Sequence, residues 1–106
     1  MAKYLFEGHL TAESVRGTMQ EGGTARREAI TSLVEAHGGT VEAFYYAFGH
    51  TDVYGIVDMP DNATVAALAL AISGSGVVSV STTVLITPEE IDEAANIDVD
   101  YTPPGG

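Results

Sequence analysis

The side chains able to move protons or grip a polar ligand are few in this 106-residue chain: three histidines, five tyrosines and fifteen carboxylates, with no cysteine. Without cysteine, disulfides, thiolate metal sites and cysteine nucleophiles are excluded. Two groupings matter. The first is an aromatic stretch around a turn, with Tyr45 and Tyr46 before Gly49-His50-Thr51-Asp52 and Tyr54 after it. Successive strand residues point to opposite faces, so one of Tyr45 and Tyr46 faces the helices and the other faces away. These phenols suit the rim of a ligand pocket, and equally suit a packing surface with one wet end. The second grouping is His9 with Asp58 and Tyr4. A His–Asp pair is the minimum for acid–base work near neutral pH; the plainer reading is an exposed rim pair. Asp52 serves either as a general base or as a turn residue bonding backbone amides. His37 ends a helix, where its protonated form suits the negative end of the dipole.

The ligand-binding candidates are therefore His9, Tyr45, Tyr46, His50, Asp52, Tyr54 and Asp58, with no catalytic residue assigned. No His/carboxylate spacing matches a metal-ligand motif. Gly74-Ser75-Gly76 lacks the lysine and the strand-to-helix order of a phosphate loop. No cofactor is expected.

The elements that must position these residues alternate in period. Residues 3–10 read as a strand, with Tyr4 and Phe6 on one face and Leu5, Glu7 and His9 on the other. Thr11 caps a first helical segment that falters at Gly22-Gly23, a pair read as a helix break and nothing more. A second start follows with Thr24 as cap. Ile30, Leu33, Val34 and His37 then form one stripe, and Gly38-Gly39 stops the helix. Residues 40–48 and 52–58 read as a hairpin around Gly49-His50. Asp61 caps a helix carrying Val65, Leu68, Ala69 and Ile72. Val77 to Ile86 is a strand. Thr87-Pro88-Glu89-Glu90 is a capping box that opens a short helix through about residue 95.

The order β-α-β-β-α-β predicts an α+β, ferredoxin-like fold with a four-stranded antiparallel sheet and helices on one face. Right-handed crossovers are expected to set the first and third strands at the centre and parallel to each other. That places His9 beside Asp58 and keeps His50 at the opposite edge. The other sheet face has nothing in the chain to cover it, yet it stays partly apolar. A face-to-face homodimer, or a higher homo-oligomer, is expected. Residues 1–95 make the domain, and 96–106 an acidic Pro/Gly tail.

Charge bounds the partners. The net charge is −11, with four bases in all, which argues against nucleic acid. The uncharged run Asn62–Pro88 is long enough to span a bilayer. It is broken near its middle by Gly74-Ser75-Gly76 and has no flanking Lys or Arg, so no membrane association is expected. The stretch Met1–Glu7 has no signal-peptide layout, and a cytoplasmic location is expected. Residues 88–106 hold six of the acids and no base. This segment reads as a solvating arm or an electrostatic guard.

Four stretches carry a resemblance to a known family: Met1-Ala2-Lys3-Tyr4-Leu5; Arg26-Arg27-Glu28-Ala29; Phe44-Tyr45-Tyr46-Ala47-Phe48-Gly49 leading into Asp52-Val53; and Ala66 to Gly76. Over residues 1 to about 93 the chain resembles the GYD-domain family of the dimeric α+β barrel superfamily. That family is named for a Gly-x-Tyr-Asp motif, which here reads Gly49-His50-Thr51-Asp52, with Thr in place of Tyr. Relatives often carry an arginine after the second helix; here Val77-Val78-Ser79-Val80-Ser81 has none. The resemblance implies the fold and self-association, and no particular reaction. Two readings of function follow. One is a self-associating ligand-binding or assembly module. The other is a cofactor-free enzyme, oxygenase- or isomerase-like, acting on a hydrophobic small molecule in a cavity between sheet and helices.

Overall fold

The computed structural model describes residues 1–105. It holds β1 (Ala2–Leu10), α1 (Ala12–Glu21), α2 (Gly23–Ala36), β2 (Thr40–Tyr46), β3 (Val53–Met59), α3 (Asn62–Gly74), β4 (Val78–Leu85) and α4 (Pro88–Ala95). The fold is α+β, an open four-stranded sheet in the order β2-β3-β1-β4 with every pairing antiparallel.

That last point corrects one expectation: β1 and β3 are central but antiparallel. The helical crossover brings the chain back to its starting end, so β2 runs with β1. The tight turn then reverses β3 before it inserts between them. The register places Lys3 opposite Asp58 and Gly8 opposite Val53. The end of β1 therefore lies beside the β2–β3 turn, and its beginning lies beside Asp58.

Local signals set most helix starts. The Thr11 side chain accepts from the Ser14 amide, and the Asp61 side chain from the Thr64 amide. Thr87 and Glu90 form a reciprocal capping box, with Pro88 in the first turn. The α1–α2 junction differs from expectation. Gly22, at φ +93°, is the N-cap of α2 and Thr24 caps nothing. Only glycine adopts that backbone without strain, so the chain turns at Gly22 and the helix restarts at once.

Alternation splits the sheet into two faces. Tyr4, Phe6, Gly8 and Leu10 of β1 line up with Val53, Gly55 and Val57 of β3 and face the helices. Lys3, Leu5, Glu7 and His9 line up with Tyr54, Ile56 and Asp58 on the open face. A bulge between Val41 and Ala43 shifts β2 by one residue. Phe44 and Tyr46 thereby face the helices and Tyr45 the open side. The core is small and sits at one end of the sandwich: Tyr4, Val34, Val57, Met59, Val65 and Leu68, with Phe6, Ile30, Leu33 and Val41 packed against it. Gly39 closes that end. A Cβ there would collide with the Met59 sulfur and the Asp58 carbonyl oxygen. Among the described residues, no helix is long and apolar enough to cross a membrane.

Candidate functional site: a cavity between sheet and helices

At the other end the helices do not close on the sheet. A cavity of about 450 Å³ lies between them, within the size range of small-molecule sites. Its floor is set by glycine. Gly8 and Gly55 stand at inward-facing positions of the two central strands, where a side chain would otherwise fill the space. A Cβ at either would meet only ordinary contacts, at 3.6 Å and 3.8 Å respectively. Glycine is thus not demanded there by local packing; a glycine in a strand often marks close approach of a ligand. Gly55 lies between Phe44 on β2 and Phe6 on β1 in one cross-strand row, so aromatic side chains flank the floor. The Phe44 and Tyr46 rings meet edge to face at 5.4 Å. Ile30 and Leu33 of α2 and Ile72 of α3 form the roof, and Ser14 and Thr18 of α1 one side.

Two polar groups mark the rim. The Tyr46 hydroxyl donates to the Gly23 carbonyl oxygen at 3.2 Å. Gly23 therefore does more than break a helix: a Cβ there would press to 3.1 Å from the Tyr46 ring, which its absence admits. Burial raises the Tyr46 pKa above the ordinary phenol value, opposed by the positive Arg26 and Arg27. The phenol stays neutral and keeps its proton as a donor. Arg26, 3.7 Å from Glu21, is the one charged side chain lining the cavity among the described residues.

Of the residues singled out from sequence, only Tyr46 lines this cavity. Tyr45 pairs across the hairpin with Tyr54 on the open face, 70% and 38% exposed. The strand reversal regroups the others. His9 and His50, expected apart, meet with ring centroids 5.4 Å apart. His9 and Asp58, expected together, lie about six residues apart along the paired strands, or roughly 20 Å at 3.4 Å per residue. Asp58 instead binds Lys3 at 3.0 Å, and Glu42 takes the same ammonium at 3.1 Å. The third member expected there, Tyr4, is buried and donates to Asn62 Oδ1. Asp52 serves the backbone. Its Oδ2 accepts from the Leu10 amide at 2.8 Å, and its own amide donates to the Gly8 carbonyl at 3.0 Å. Both bonds tie the turn to β1 beside the cavity floor. Thr51 is buried, and its hydroxyl donates to Glu7 at 3.4 Å. His37 caps α2, its Nδ1 2.9 Å from the Leu33 carbonyl oxygen. Among the described residues, no three His, Asp or Glu side chains are grouped to hold a metal ion.

The residues missed from sequence are Gly8, Gly55, Phe6 and Phe44. The signal was present: both glycines interrupt the inward-facing rows of otherwise well-filled strands.

These features define a class, an open antiparallel sheet with helices on one face and an apolar cavity held between them. The family model of the GYD domain matches residues 4–95, and the chain belongs to that family. Comparison with curated proteins and with solved structures gives no match.

Proposed function

We propose that the protein is a self-associating, ferredoxin-like module that binds one apolar small molecule between its sheet and helices. The observation that carries the reading is the glycine-floored cavity flanked by Phe6 and Phe44. Arg26 at the rim favours a ligand with an aromatic or alicyclic body and one anionic or oxygen-bearing end. Self-association as a face-to-face homodimer, a dimeric α+β barrel, is supported by the open sheet face. Leu5, Ile56, Tyr45 and Tyr54 stand there, on the face opposite the helices, with Tyr45 and Tyr54 exposed.

A second reading, a cofactor-free enzyme on the same ligand, is favoured by one observation. The Arg26 guanidinium and the neutral Tyr46 phenol line the same apolar space; the phenol's one proton goes to the Gly23 carbonyl oxygen in this structure, and turning it to a ligand would set a donor beside a cation at a developing oxyanion. Native mass spectrometry of the purified protein tests the main reading. A dimer carrying one small organic molecule per chain is expected. A monomer at micromolar concentration contradicts self-association, and an apolar panel that leaves the protein unliganded contradicts the binding role. For the enzyme reading, full turnover by Tyr46→Phe on a found substrate removes Tyr46 from the chemistry.

A further inference from the structure

His9 and His50 are the chemistry-bearing side chains that the cavity does not use. They stand far apart in sequence, yet the fold brings their ring centroids to 5.4 Å, with the planes inclined at 65°. His9 lies on the open sheet face near the end of β1, opposite Ser79 of β4. His50 lies in the β2–β3 turn. The backbone under both is pinned by Asp52. Its carboxylate accepts from the Leu10 amide at 2.8 Å, just after His9, and its amide donates to the Gly8 carbonyl oxygen at 3.0 Å, just before it. The Ala47 amide closes the turn by donating to the Asp52 carbonyl oxygen at 2.9 Å. These bonds fix where both rings start from and leave the imidazoles themselves free. Among the described residues, the His37 ring is engaged by the Leu33 carbonyl oxygen, whereas the ring nitrogens of His9 and His50 have no protein hydrogen-bond partner.

The charge around the pair is negative. Glu7 stands two residues before His9 on the same face, and Thr51, next to His50, donates to it at 3.4 Å. Lys3, the cation of that face, lies at the far end of β1 and is held by Asp58 and Glu42.

We propose that His9 and His50 chelate one divalent transition-metal ion of the kind imidazole prefers, copper ahead of zinc, with magnesium and calcium excluded. Two imidazoles on one tetrahedral ion, each nitrogen about 2.0–2.1 Å from the metal, set their ring centres about 5 Å apart. The pair already stands close to that spacing, and its edge-on inclination keeps the rings from stacking. Rotation about side-chain bonds aims the nitrogens, and exposed His50 has room for it. Among the described residues no third His, Asp or Glu is grouped with the pair. The remaining coordination positions are therefore open to water or to an added ligand, and the ion is exchangeable, unlike one in a closed four-ligand site. The pair lies across the sheet from the cavity, so this site stands independently of the apolar-ligand reading.

The test is calorimetric titration of the full chain with copper(II), nickel(II) and zinc(II), in a non-coordinating buffer with excess magnesium to occupy surface carboxylates. One ion per chain is expected, with copper binding tightest. His9→Gln and His50→Gln are each expected to lower copper affinity at least about tenfold, and His37→Gln to leave it unchanged. Electron paramagnetic resonance of the copper-loaded parent should show two nitrogen ligands. That spectrum needs no variant, so the site stays testable whatever a substitution does to folding. Equal copper affinity in the parent and in either His9→Gln or His50→Gln overturns the site. A spectrum of oxygen ligands alone puts the ion on carboxylates and also overturns it. Half an ion per chain places the ion between two copies and overturns the chelate within one.

Discussion

Three glycines separate packing from function at the scale of single residues. Gly39 has no room for a methyl group, so Gly39→Ala is expected to cost about 3 kcal/mol through overpacking against Met59; urea denaturation measures it. Gly8 and Gly55 have room and extended backbones. Gly55→Ala is therefore expected to hold stability or raise it by about 0.5–1 kcal/mol in the same measurement, since alanine loses less entropy on folding. A stability loss at Gly55 as large as at Gly39 would make the cavity floor a packing requirement. His9 and His50 teach a different lesson. Their types were plain in the sequence, but their meeting depended on strand direction, which no local pattern around either residue encodes.

Among the elements, the caps were the most legible part because they are local: Thr11, Asp61 and Thr87 each bond an amide three residues on. Asp61 carries a pH signature. Its carboxylate accepts from the Thr64 amide and hydroxyl, which holds its pKa below the ordinary value of 3.8. A folded-state pKa lowered in this way contributes stability that is full above the unfolded value and fades as pH falls through the folded one. Acid titration of Asp61→Asn against the parent should show the difference between them shrinking below about pH 4. The helix break at Gly22-Gly23 was legible too, but not its consequence. α1 buries no residue, while α2 anchors Val34 in the core. α1 is thus the weakest wall of the cavity. Its amides should exchange fastest among the elements of the sandwich and gain protection when the cavity fills, as read by hydrogen exchange. The cavity itself was beyond reach from pattern alone. Its volume depends on how far two helices stand from a sheet, a non-local quantity that neither periodicity nor capping reports.

For the molecule as a whole, the division is between a tight end and an open end of one sandwich. The core around Tyr4, Val57 and Met59 holds the sheet to α2 and α3, and Asp52 anchors the far turn to β1. Val34, Val57 and Leu68 serve both the core and the cavity wall, while Gly8, Gly55, Phe44 and Tyr46 line the void without belonging to the core. The acidity of the chain divides similarly, since residues 88–106 carry six of the fifteen acids and none of the four bases. The central claim, that the void is a binding site, is tested most directly by titrating the full chain with anilinonaphthalene sulfonate, an aromatic body with one anionic end. The account predicts one probe per chain, with affinity falling at least about tenfold in Gly55→Val, whose side chain occupies the cavity floor, and an unchanged unfolding midpoint. Equal affinity for the parent and Gly55→Val, with both folded, would contradict it.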